Sequence, residues 1–451
     1  MLDSIAKPPG PRGVPFIGTS FMARRNPMAT LQDWASEYGD ISYYRFLSLH
    51  VYLLFHPQHI EQVLLTKTGL FNKGLTSRLN RELFGNGLLT SDGDFWSRQR
   101  RLSNPAFHRE SIIRYAQITA EEAARLMDGW KSKEVRNIHH DMMNVTLRIV
   151  LRSLFGGELG DSMRVVEQAL DTVMRSSSGI QVVAAFLHIP TPAHARYLRA
   201  VRELDGVVYE LIRRGKGKLR CGADAGGPKD LLTLLLMARD EDGSAMTDQQ
   251  LRDEVLTLLV GGHETTALSL TWVWYLLAQN SEVEEKLHAE LDAVLGDQAP
   301  SADDLSRLVY TDHVLREALR LYPPAWRIVR AAREPFRIGD YVVPAGAQVL
   351  MSQWVTHRDW RWFPDPERFH PDRWLDDAAT KLPRCAYFPF GGGPRVCIGA
   401  GFAMMEATIL LATVAQRFRM GLIPNQRVEL LPSITLRPKN GIQVELQERS
   451  A

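Results

Sequence analysis

The sequence predicts a mainly α-helical protein with small β-sheets. Apolar residues recur with helical spacing through most of the stretch from about Asp92 to Leu321. The strand-like stretches are short and lie before and after this region. The chain has 451 residues, of which 45% are hydrophobic and 24% charged, so it has enough apolar material for a large core.

The strands of the predicted sheets come from short segments near both ends of the chain. These segments are Ile41–Phe46, His50–Phe55, Phe336–Ile338, Gln348–Met351, Ile434–Leu436 and Ile442–Leu446. Between the helices, the segment Arg213–Lys229 is rich in glycine and charge, which predicts a solvated loop. Composition alone does not decide whether that loop lies within one domain or joins two.

A long helix is predicted to begin after Thr247, a residue type that caps helices well, and to end near Asn280. It contains Gly261–Thr266, which reads GGHETT. Two glycines destabilise a helix by about 2 kcal/mol relative to alanine, and threonine hydroxyls compete for backbone carbonyls. We therefore expect the helix to open locally, with a hydroxyl and a carboxylate that can pass protons at the edge of the groove. A simple kink with a surface carboxylate is the alternative.

A second segment that could bind a cofactor is Phe390–Gly399, which reads FGGGPRVCIG. It places Cys397 in a glycine-rich loop before an apolar helix. Cysteine thiolate is one of the few protein ligands of haem iron, and glycine lets a backbone approach a flat macrocycle without Cβ clashes. Backbone N–H groups near the helix start favour the thiolate, Phe390 can shield the sulfur, and Arg395 can pair with a carboxylate. A buried cysteine beside a turn is the alternative.

The spacing Phe-x-x-Gly-x-Arg-x-Cys-x-Gly in Phe390–Gly399 resembles the haem-binding signature of cytochromes P450, and the match is complete. Gly261–Thr266 resembles the oxygen-activation motif of the same family. The resemblance implies the cytochrome P450 fold and haem b, Fe-protoporphyrin IX, with Cys397 as the axial ligand of the iron. It also implies that Thr265 orients oxygen and water and that Glu264 relays protons.

The same family has a Glu-x-x-Arg pair before the haem loop, and this chain has Glu317 and Arg320 followed by a Pro-Pro stop. Residues three apart share a helix face and can pair. In the family a further arginine completes a structural triad. Arg368 lies in the literal motif PERF, but the family spacing assigns Arg373 as the partner and Arg368 as a decoy.

The resemblance also implies which residues surround the cofactor and the substrate. Expected to bind haem, including its propionates, are Trp96, Arg100, Arg330, Arg395, Phe390, Gly391 and Gly399, with Arg327 competing for the place of Arg330. Expected to line the substrate pocket are Leu89, Gly261, Ala325, Val329, Ile434 and the region after Val182. Aliphatic walls suit an apolar organic substrate that is bound mainly by burial.

The implied function is a monooxygenase, an oxidoreductase that inserts one atom of O2 into an apolar substrate such as a fatty acid, terpenoid or steroid. Electrons would come from a ferredoxin or flavodoxin with its reductase, because three cysteines are too few for an iron–sulfur cluster. We expect this acidic partner to dock near Arg98, Arg101 and Arg109. A peroxide-driven peroxygenase and a non-catalytic haem sensor or ligand carrier are the alternatives, and the intact Glu264–Thr265 pair argues against both.

Net charge, cysteine count and the first residues of the chain restrict the expected binding partners and the cellular compartment. A net charge of +2 gives no general electrostatic case for nucleic acid. An odd cysteine count predicts no disulfide framework and fits a reducing compartment. No apolar run precedes the Pro8–Pro11 hinge, so we expect a cytoplasmic, bacterial-type protein without a membrane anchor, although a trimmed anchor would give the same pattern. Because the resemblance spans both sides of Arg213–Lys229, we expect one domain over residues 1–451, without a fused reductase.

Overall fold

A computed structural model of the protein describes residues 7–13, 26–46, 48–156, 162–175, 191–221, 230–375 and 378–449. Its helices and small sheets confirm the predicted fold class. The chain divides into two compact units. The first unit is Met1–Arg78, Arg316–Cys397 and Leu430–Arg437, and the second is Leu79–Leu315, Ile398–Glu429 and Pro438–Ala451.

A five-stranded sheet is the centre of the first unit. Labelled in chain order, its strands are β1 (Ile41–Phe46), β2 (Leu49–Leu54), β3 (Phe71–Asn72), β5 (Ile328–Ala332) and β8 (Gln348–Met351). Their spatial order is β1-β2-β8-β5-β3. Only the β2–β8 pair is parallel among these neighbours. All four residues of β8 are buried, as expected for a central strand that is covered on both faces.

The rest of the first unit consists of short elements around this sheet. They are α1 (Pro27–Tyr38), α2 (Pro57–Glu61), α13 (Gln353–Thr356), α14 (Ala378–Lys381), the hairpin of β6 (Phe336–Ile338) and β7 (Tyr341–Val343), and the pair β10 (Leu430–Pro432) and β11 (Leu436–Pro438). Helices α3 (Leu75–Phe84) and α12 (Val309–Leu321) each contain a boundary between the units.

The second unit is helical, with one three-stranded antiparallel sheet. Its helices are α4 (Gly93–Ser103), α5 (Arg109–Met127), α6 (Ile138–Phe155), α7 (Ser162–Arg175), α8 (Pro192–Arg220), α9 (Leu231–Met237), α10 (Asp248–Leu277), α11 (Ser281–Val294) and α15 (Ala400–Arg417). Its sheet has the order β4 (Val135–Asn137), β12 (Gln443–Glu448) and β9 (Phe418–Leu422). The long helix α10 packs against α6, α8 and α15.

The start of α10 confirms the predicted N-cap. The Thr247 hydroxyl accepts a hydrogen bond from the Gln250 N–H at 3.2 Å, and the Gln250 side chain accepts one from the Thr247 N–H at 2.9 Å. This reciprocal capping box satisfies two backbone donors at the helix end. The helix has 30 residues, which is about 45 Å, and it ends at Leu277 rather than near Asn280.

The predicted loop Arg213–Lys229 is wrong in its first half, because α8 continues to Arg220. A Cβ on Gly215 would lie 2.8 Å from the Leu236 side chain. Glycine at this position therefore lets α8 approach α9 closely instead of ending the helix. Residues 222–229 lie outside the described part of the chain.

The predicted strands mostly hold, with small shifts at their ends. The exception is Ile434–Leu436: β10 ends at Pro432 and β11 begins at Leu436, so this segment is mainly a turn. Six of the described strands have no counterpart in the prediction, namely β3, β4, β5, β7, β9 and β10. The longest of these are β5 and β9, with five residues each. Each contains an arginine and short residues, which hide the strand pattern. Among the described helices, none is long and apolar enough to cross a membrane.

Candidate functional site

Cys397 is the last residue of the first unit and follows a tightly closed loop. Its backbone N–H donates to the Phe390 carbonyl at 3.0 Å, and the Gly391 N–H donates to the Phe388 carbonyl at 2.9 Å. The Cys397 side chain is exposed. The loop thus fixes the cysteine backbone and leaves the sulfur accessible.

Two glycines of this loop have conformations that other residues adopt with strain. Gly391 has φ of +74° and Gly393 has φ of +65°. A Cβ on Gly393 would lie 1.9 Å from the Leu64 carbonyl oxygen. The loop backbone therefore packs directly against the segment that carries Leu64, and no larger residue fits at Gly393.

A buried histidine supports the beginning of the loop. The His357 Nε2 atom accepts a hydrogen bond from the Phe388 N–H at 3.0 Å, and the His357 ring lies 5.2 Å from the Tyr387 ring. Burial and the nearby guanidinium groups of Arg320 and Arg358 lower the pKa of His357 well below its usual value. The imidazole is therefore neutral and acts as an acceptor.

Glu317, Arg320 and Arg373 come together in the first unit. The Arg320 guanidinium donates two bonds of 2.9 Å to the Glu317 carboxylate, and both side chains are fully buried. Arg373 Nε donates to Glu317 at 3.2 Å, whereas Arg368 contributes only its backbone carbonyl to Arg320. Arg320 also donates to the His357 carbonyl at 2.8 Å. One ion-pair network therefore holds the same histidine that supports the cysteine loop.

The other predicted residues of the first unit lie mostly on partly accessible positions. Arg330 and Val329 are half-buried on β5, and Arg330 donates to the Val329 carbonyl at 3.0 Å. Arg327 is exposed, with its guanidinium 4.4 Å from the centre of the Trp326 ring. Ala325, Phe390, Gly391 and Arg395 are half-buried, and Ile434 is exposed in the turn between β10 and β11.

In the second unit, one strip of α10 is accessible although the helix is otherwise buried. Between Leu251 and Trp274, the residues that are not buried are Thr257, Gly261, Gly262, Thr265 and Ser269. Four of these are spaced by four residues and therefore lie on one side of the helix. The accessible side of a central helix thus carries only glycine and hydroxyl side chains.

The helix is continuous through Gly261–Thr266, so the structure shows no break where a local opening of the helix was predicted. Instead, the Thr265 hydroxyl donates to the Gly261 carbonyl at 2.6 Å, and the Ser269 hydroxyl donates to the Thr265 carbonyl at 2.9 Å. These side-chain bonds satisfy carbonyls without interrupting the helix. Glu264 is buried, so it lies away from the accessible strip on which Thr265 lies.

Trp96 and Arg100 lie one turn apart on α4, and both are half-buried. Leu89 is 41% exposed in the loop before α4. Gly399 precedes α15 directly. The region after Val182 lies outside the described residues.

The comparisons with known proteins agree with this arrangement of motifs. The family model described as cytochrome P450 matches residues 8–446 of the chain. The chain belongs to the cytochrome P450 family. Its members bind haem b and act as monooxygenases, and this protein is accordingly a haem-dependent oxidoreductase.

Individual P450s resemble the chain over nearly its whole length. Cyclooctatin synthase from Streptomyces melanosporofaciens is 37% identical over 94% of this chain and 92% of its own length. Pentalenene oxygenase from Streptomyces avermitilis is 33% identical over 98% of this chain and 97% of its own. The solved structure of retinoic acid bound cyanobacterial CYP120A1 has a TM-score of 0.88 at 25% identity and covers 99% of this chain and 100% of that one.

The residues of the cysteine loop fit the haem of a P450. A flat macrocycle needs a backbone that approaches closely, and Gly391 and Gly393 provide it in conformations with positive φ. The exposed Cys397 would be the sulfur ligand in that arrangement. Arg395 and Arg330 are half-buried cations in the same unit that can meet carboxylate groups.

Three buried titratable residues of this P450 were not predicted from the sequence. His357 supports the cysteine loop, Glu254 binds the loop that carries Leu89, and Glu406 lies on α15. Glu406 could have been found as a lone charge within an apolar helix. The other two are recognisable only from their partners in the fold.

The predicted docking face around Arg98 and Arg101 is less positively charged than the two arginines alone suggest, because an aspartate lies beside them. Arg98 and Arg101 both pair with Asp240, at 2.9 and 3.1 Å. The Arg101 side chain is half exposed, whereas that of Arg98 is mostly covered. Arg101 is therefore the accessible cation of the two.

Proposed function

We propose that this P450 inserts one oxygen atom of O2 into an apolar terpenoid-like substrate, with Cys397 as the axial ligand of the haem iron. The accessible cysteine in its glycine loop is the observation that carries this proposal. Haem, when bound, supplies the oxygen chemistry, and the protein supplies the sulfur ligand, the proton path and the pocket. Trp96, Arg100, Arg330 and Arg395 are proposed to bind the propionates.

Thr265 is proposed to orient oxygen and water at the accessible strip of α10, and Glu264 is proposed to relay protons from behind it. The Thr265 hydroxyl gives its own proton to the Gly261 carbonyl, so its oxygen is left to accept from a water or a bound partner. A buried carboxyl one residue away can exchange protons with the strip through water or side-chain motion.

The first experiment is the carbon monoxide difference spectrum of the dithionite-reduced protein. A strongly red-shifted Soret band is expected, because a thiolate ligand donates electron density to the iron. Cys397→Ser is expected to lose this band, whereas Cys385→Ser, which removes a buried cysteine of the same unit, is expected to keep it. A histidine-like band in the wild type contradicts the proposed ligand.

The role of Thr265 is tested by Thr265→Ala, which removes the accessible hydroxyl. We expect electron consumption to continue while product falls about ten-fold or more and hydrogen peroxide rises. Thr271→Ala is the matched control, because the Thr271 hydroxyl also donates to a carbonyl four residues earlier, at 2.6 Å, but is fully buried. Equal coupling in both variants removes Thr265 from the proton path.

The substrate class is proposed from the apolar residues at partly accessible positions and from the relatives. Leu89, Ala325, Val329 and Ile434 offer aliphatic surface but few groups that could pair with a charged substrate. The relatives include cyclooctat-9-en-7-ol 5-monooxygenase, 36% identical over 92% of this chain, and pentalenene oxygenase. We therefore expect spin-state shifts with cyclic terpene hydrocarbons and alcohols, and weaker shifts with straight-chain fatty acids of equal carbon number.

The proposed electron donor is an acidic ferredoxin or flavodoxin that meets the accessible cation Arg101. Arg101→Gln is expected to slow the first electron transfer about two- to five-fold at low salt and to have little effect at high salt, because salt screens exposed charges. The side chain of Arg109 lies outside the description. An unchanged rate at low salt excludes this face.

A further inference from the structure

A compact loop of the second unit is bound to α10 directly before the accessible strip begins. This loop is Gly85–Ser91, between α3 and α4. The backbone N–H groups of Thr90 and Ser91 donate to the Gly87 carbonyl at 3.0 and 2.9 Å, and the Thr90 hydroxyl donates to the Gly85 carbonyl at 2.9 Å. The loop therefore satisfies much of its own backbone and has a defined shape.

Two carboxylates of α10 accept hydrogen bonds from the backbone of this loop. Asp253 Oδ2 accepts from the Asn86 N–H at 2.8 Å, and Glu254 Oε2 accepts from the Leu88 N–H at 3.1 Å. The second oxygen of Glu254 accepts from the Gln99 side chain of α4 at 3.0 Å. Both acidic side chains are buried, so these bonds are protected from competing water.

Glycines let the loop backbone lie directly on the helix. A Cβ on Gly87 would be 2.4 Å from the Thr257 hydroxyl oxygen and 2.7 Å from the Asp253 carbonyl oxygen. A Cβ on Gly85, whose φ is +51°, would be 2.1 Å from the Asp253 carboxylate. Larger residues at these two positions would move the loop away from α10.

The bound loop covers the start of the helix side that carries Thr265. Gly261 and Thr265 lie seven and eleven residues after Glu254, which places each of them within about 20° of Glu254 around the helix, with Gly261 about 10 Å beyond Glu254. Leu88 is buried against this covered end, and the next residue, Leu89, is 41% exposed.

We infer that Asp253 and Glu254 are positioning residues that fix the Gly85–Ser91 loop on α10, so that Leu89 forms a rigid apolar wall and limits the size of the substrates that reach Thr265. This inference rests on the proposed function for the place of the substrate. The binding of the loop itself does not depend on it. The carboxylates act through the loop and touch neither substrate nor cofactor.

The charge of Glu254 is set by the same contacts. Burial raises the pKa of Glu254 to about 7, the bonds from Leu88 and Gln99 oppose this, and the neighbouring Asp253 adds to it. Because those bonds lower the pKa, ionisation must strengthen them, so the loop is held more firmly above pH 7 than below it. Two further cations bond to the groups that contact this loop. Arg252 of α10 donates to Asp253 and to Asp205 of α8. Arg98 of α4 donates to Gln99 and pairs with Asp240.

Hydrogen exchange in the holoenzyme tests the binding of the loop. Glu254→Gln replaces one acceptor oxygen with a donor, and it is expected to speed amide exchange in the peptide that covers 85–91 about ten-fold. Gly87→Ala displaces the loop while it keeps both carboxylates, and it is expected to do the same. The controls are Glu285→Gln, an exposed glutamate of α11, and Gly129→Ala, a glycine with open space around it. Exchange that is unchanged in both test variants overturns the inference.

Size selection is tested with neutral haem ligands that do not titrate, ethyl isocyanide and cyclohexyl isocyanide, bound to the reduced enzyme. In Glu254→Gln and Gly87→Ala the ratio of the two dissociation constants is expected to change about five- to ten-fold in favour of the larger ligand. In the wild type this ratio is expected to shift between pH 6 and pH 8, with a midpoint near 7, and to be flat in Glu254→Gln.

A ratio that stays the same in both variants contradicts the role in size selection even where exchange is faster. The carbon monoxide spectrum separates this outcome from a failure of the proposed function. If the wild type lacks the red-shifted band, the proposed function fails. Faster exchange then still supports the binding of the loop by Asp253 and Glu254.

Discussion

Two buried glutamates, one in each unit, differ in what surrounds them. Glu317 of the first unit has no exposed surface, and its carboxylate accepts from Arg320, Arg373 and the Trp374 indole. Glu406 of the second unit is equally buried, but neither of its oxygens makes a hydrogen bond of normal geometry within the described residues. Burial raises the pKa of Glu406 well above its usual value, against a smaller lowering by the nearby Thr266 hydroxyl.

The comparison shows that two equally buried acids can differ in the partners that compensate their lost hydration. Two guanidinium groups and further donors compensate the lost hydration of Glu317. Within the described residues no cation lies beside Glu406, so its lost hydration is not compensated and burial raises its pKa. The cysteine loop is thus supported by a buried ionic network, while α10 carries Glu254 and lies near Glu406, two carboxyl groups whose pKa values are raised by burial.

The largest effect is expected when one partner of the buried ionic network is removed. Arg320→Ala leaves the Glu317 carboxylate buried beside only one guanidinium and frees the His357 carbonyl. Loss of one member of a buried ion pair destabilises a protein by about 3–5 kcal/mol. Urea unfolding of the holoprotein measures this, and a loss below about 1 kcal/mol contradicts the network. If the variant does not fold, Arg320→Lys, which keeps the charge, is expected to fold with reduced stability.

The assignment of the third arginine can be sharpened with two neighbouring variants. Arg373→Ala removes a donor to Glu317 and to the Pro364 carbonyl, and it is expected to cost about 1–3 kcal/mol of unfolding free energy. Arg368→Ala changes an exposed side chain and is expected to stay within about 0.5 kcal/mol of the wild type. Equal losses in the two variants would contradict the assignment of Arg373, rather than Arg368, as the partner of Glu317.

His357 connects the buried ionic network to the cysteine loop, so its loss is expected to act on the haem ligand. His357→Phe leaves the buried Phe388 N–H without its acceptor, which costs about 1–3 kcal/mol. We expect a smaller fraction of the carbon monoxide complex to show the red-shifted Soret band, and His357→Gln, which keeps an acceptor, to restore part of it. A full band in His357→Phe means that the loop does not need this bond.

The sequence predicted the fold class, and it predicted some contacts where a motif fixes the spacing of the residues. The N-cap Thr247 is local chemistry, and it holds in the structure. Arg373 is placed near Glu317 as the family spacing predicts, although its role is still a prediction. Strand β5 could not be predicted, because its burial comes from β8 and β3 on its two sides and not from its own pattern.

The contacts of buried residues could not be predicted from the sequence, for a physical reason. In the sequence, Glu254 is recognisable only as a polar residue within a largely apolar helix. Its carboxylate accepts from the Leu88 N–H, which lies 166 residues earlier in the chain. Glycine in the segment Arg213–Lys229 favours a loop, while in the structure the missing side chain of Gly215 allows the close contact with Leu236. Tertiary contacts decide such positions, and single-residue propensities do not contain them.

The smallest expected effect concerns the unpaired glutamate. The pKa of Glu406 is raised in the folded state, so above pH 4.5 the unfolded chain loses a proton that the folded protein keeps. Stability from this group is therefore full at low pH and falls by about 1.4 kcal/mol per pH unit as the pH rises toward the folded-state pKa. Glu406→Gln removes the titration, and its unfolding free energy relative to the wild type should rise by that amount per unit between pH 5 and pH 7.

Urea unfolding of the holoprotein at pH 5, 6 and 7 measures this difference for Glu406→Gln. Glu285→Gln, on the exposed face of α11, should run parallel to the wild type over the same range. A Glu406→Gln line that is also parallel to the wild type would mean that Glu406 is ionised in the folded protein. In that case a compensating cation or water must reach α15, and the contrast between the two buried glutamates would disappear.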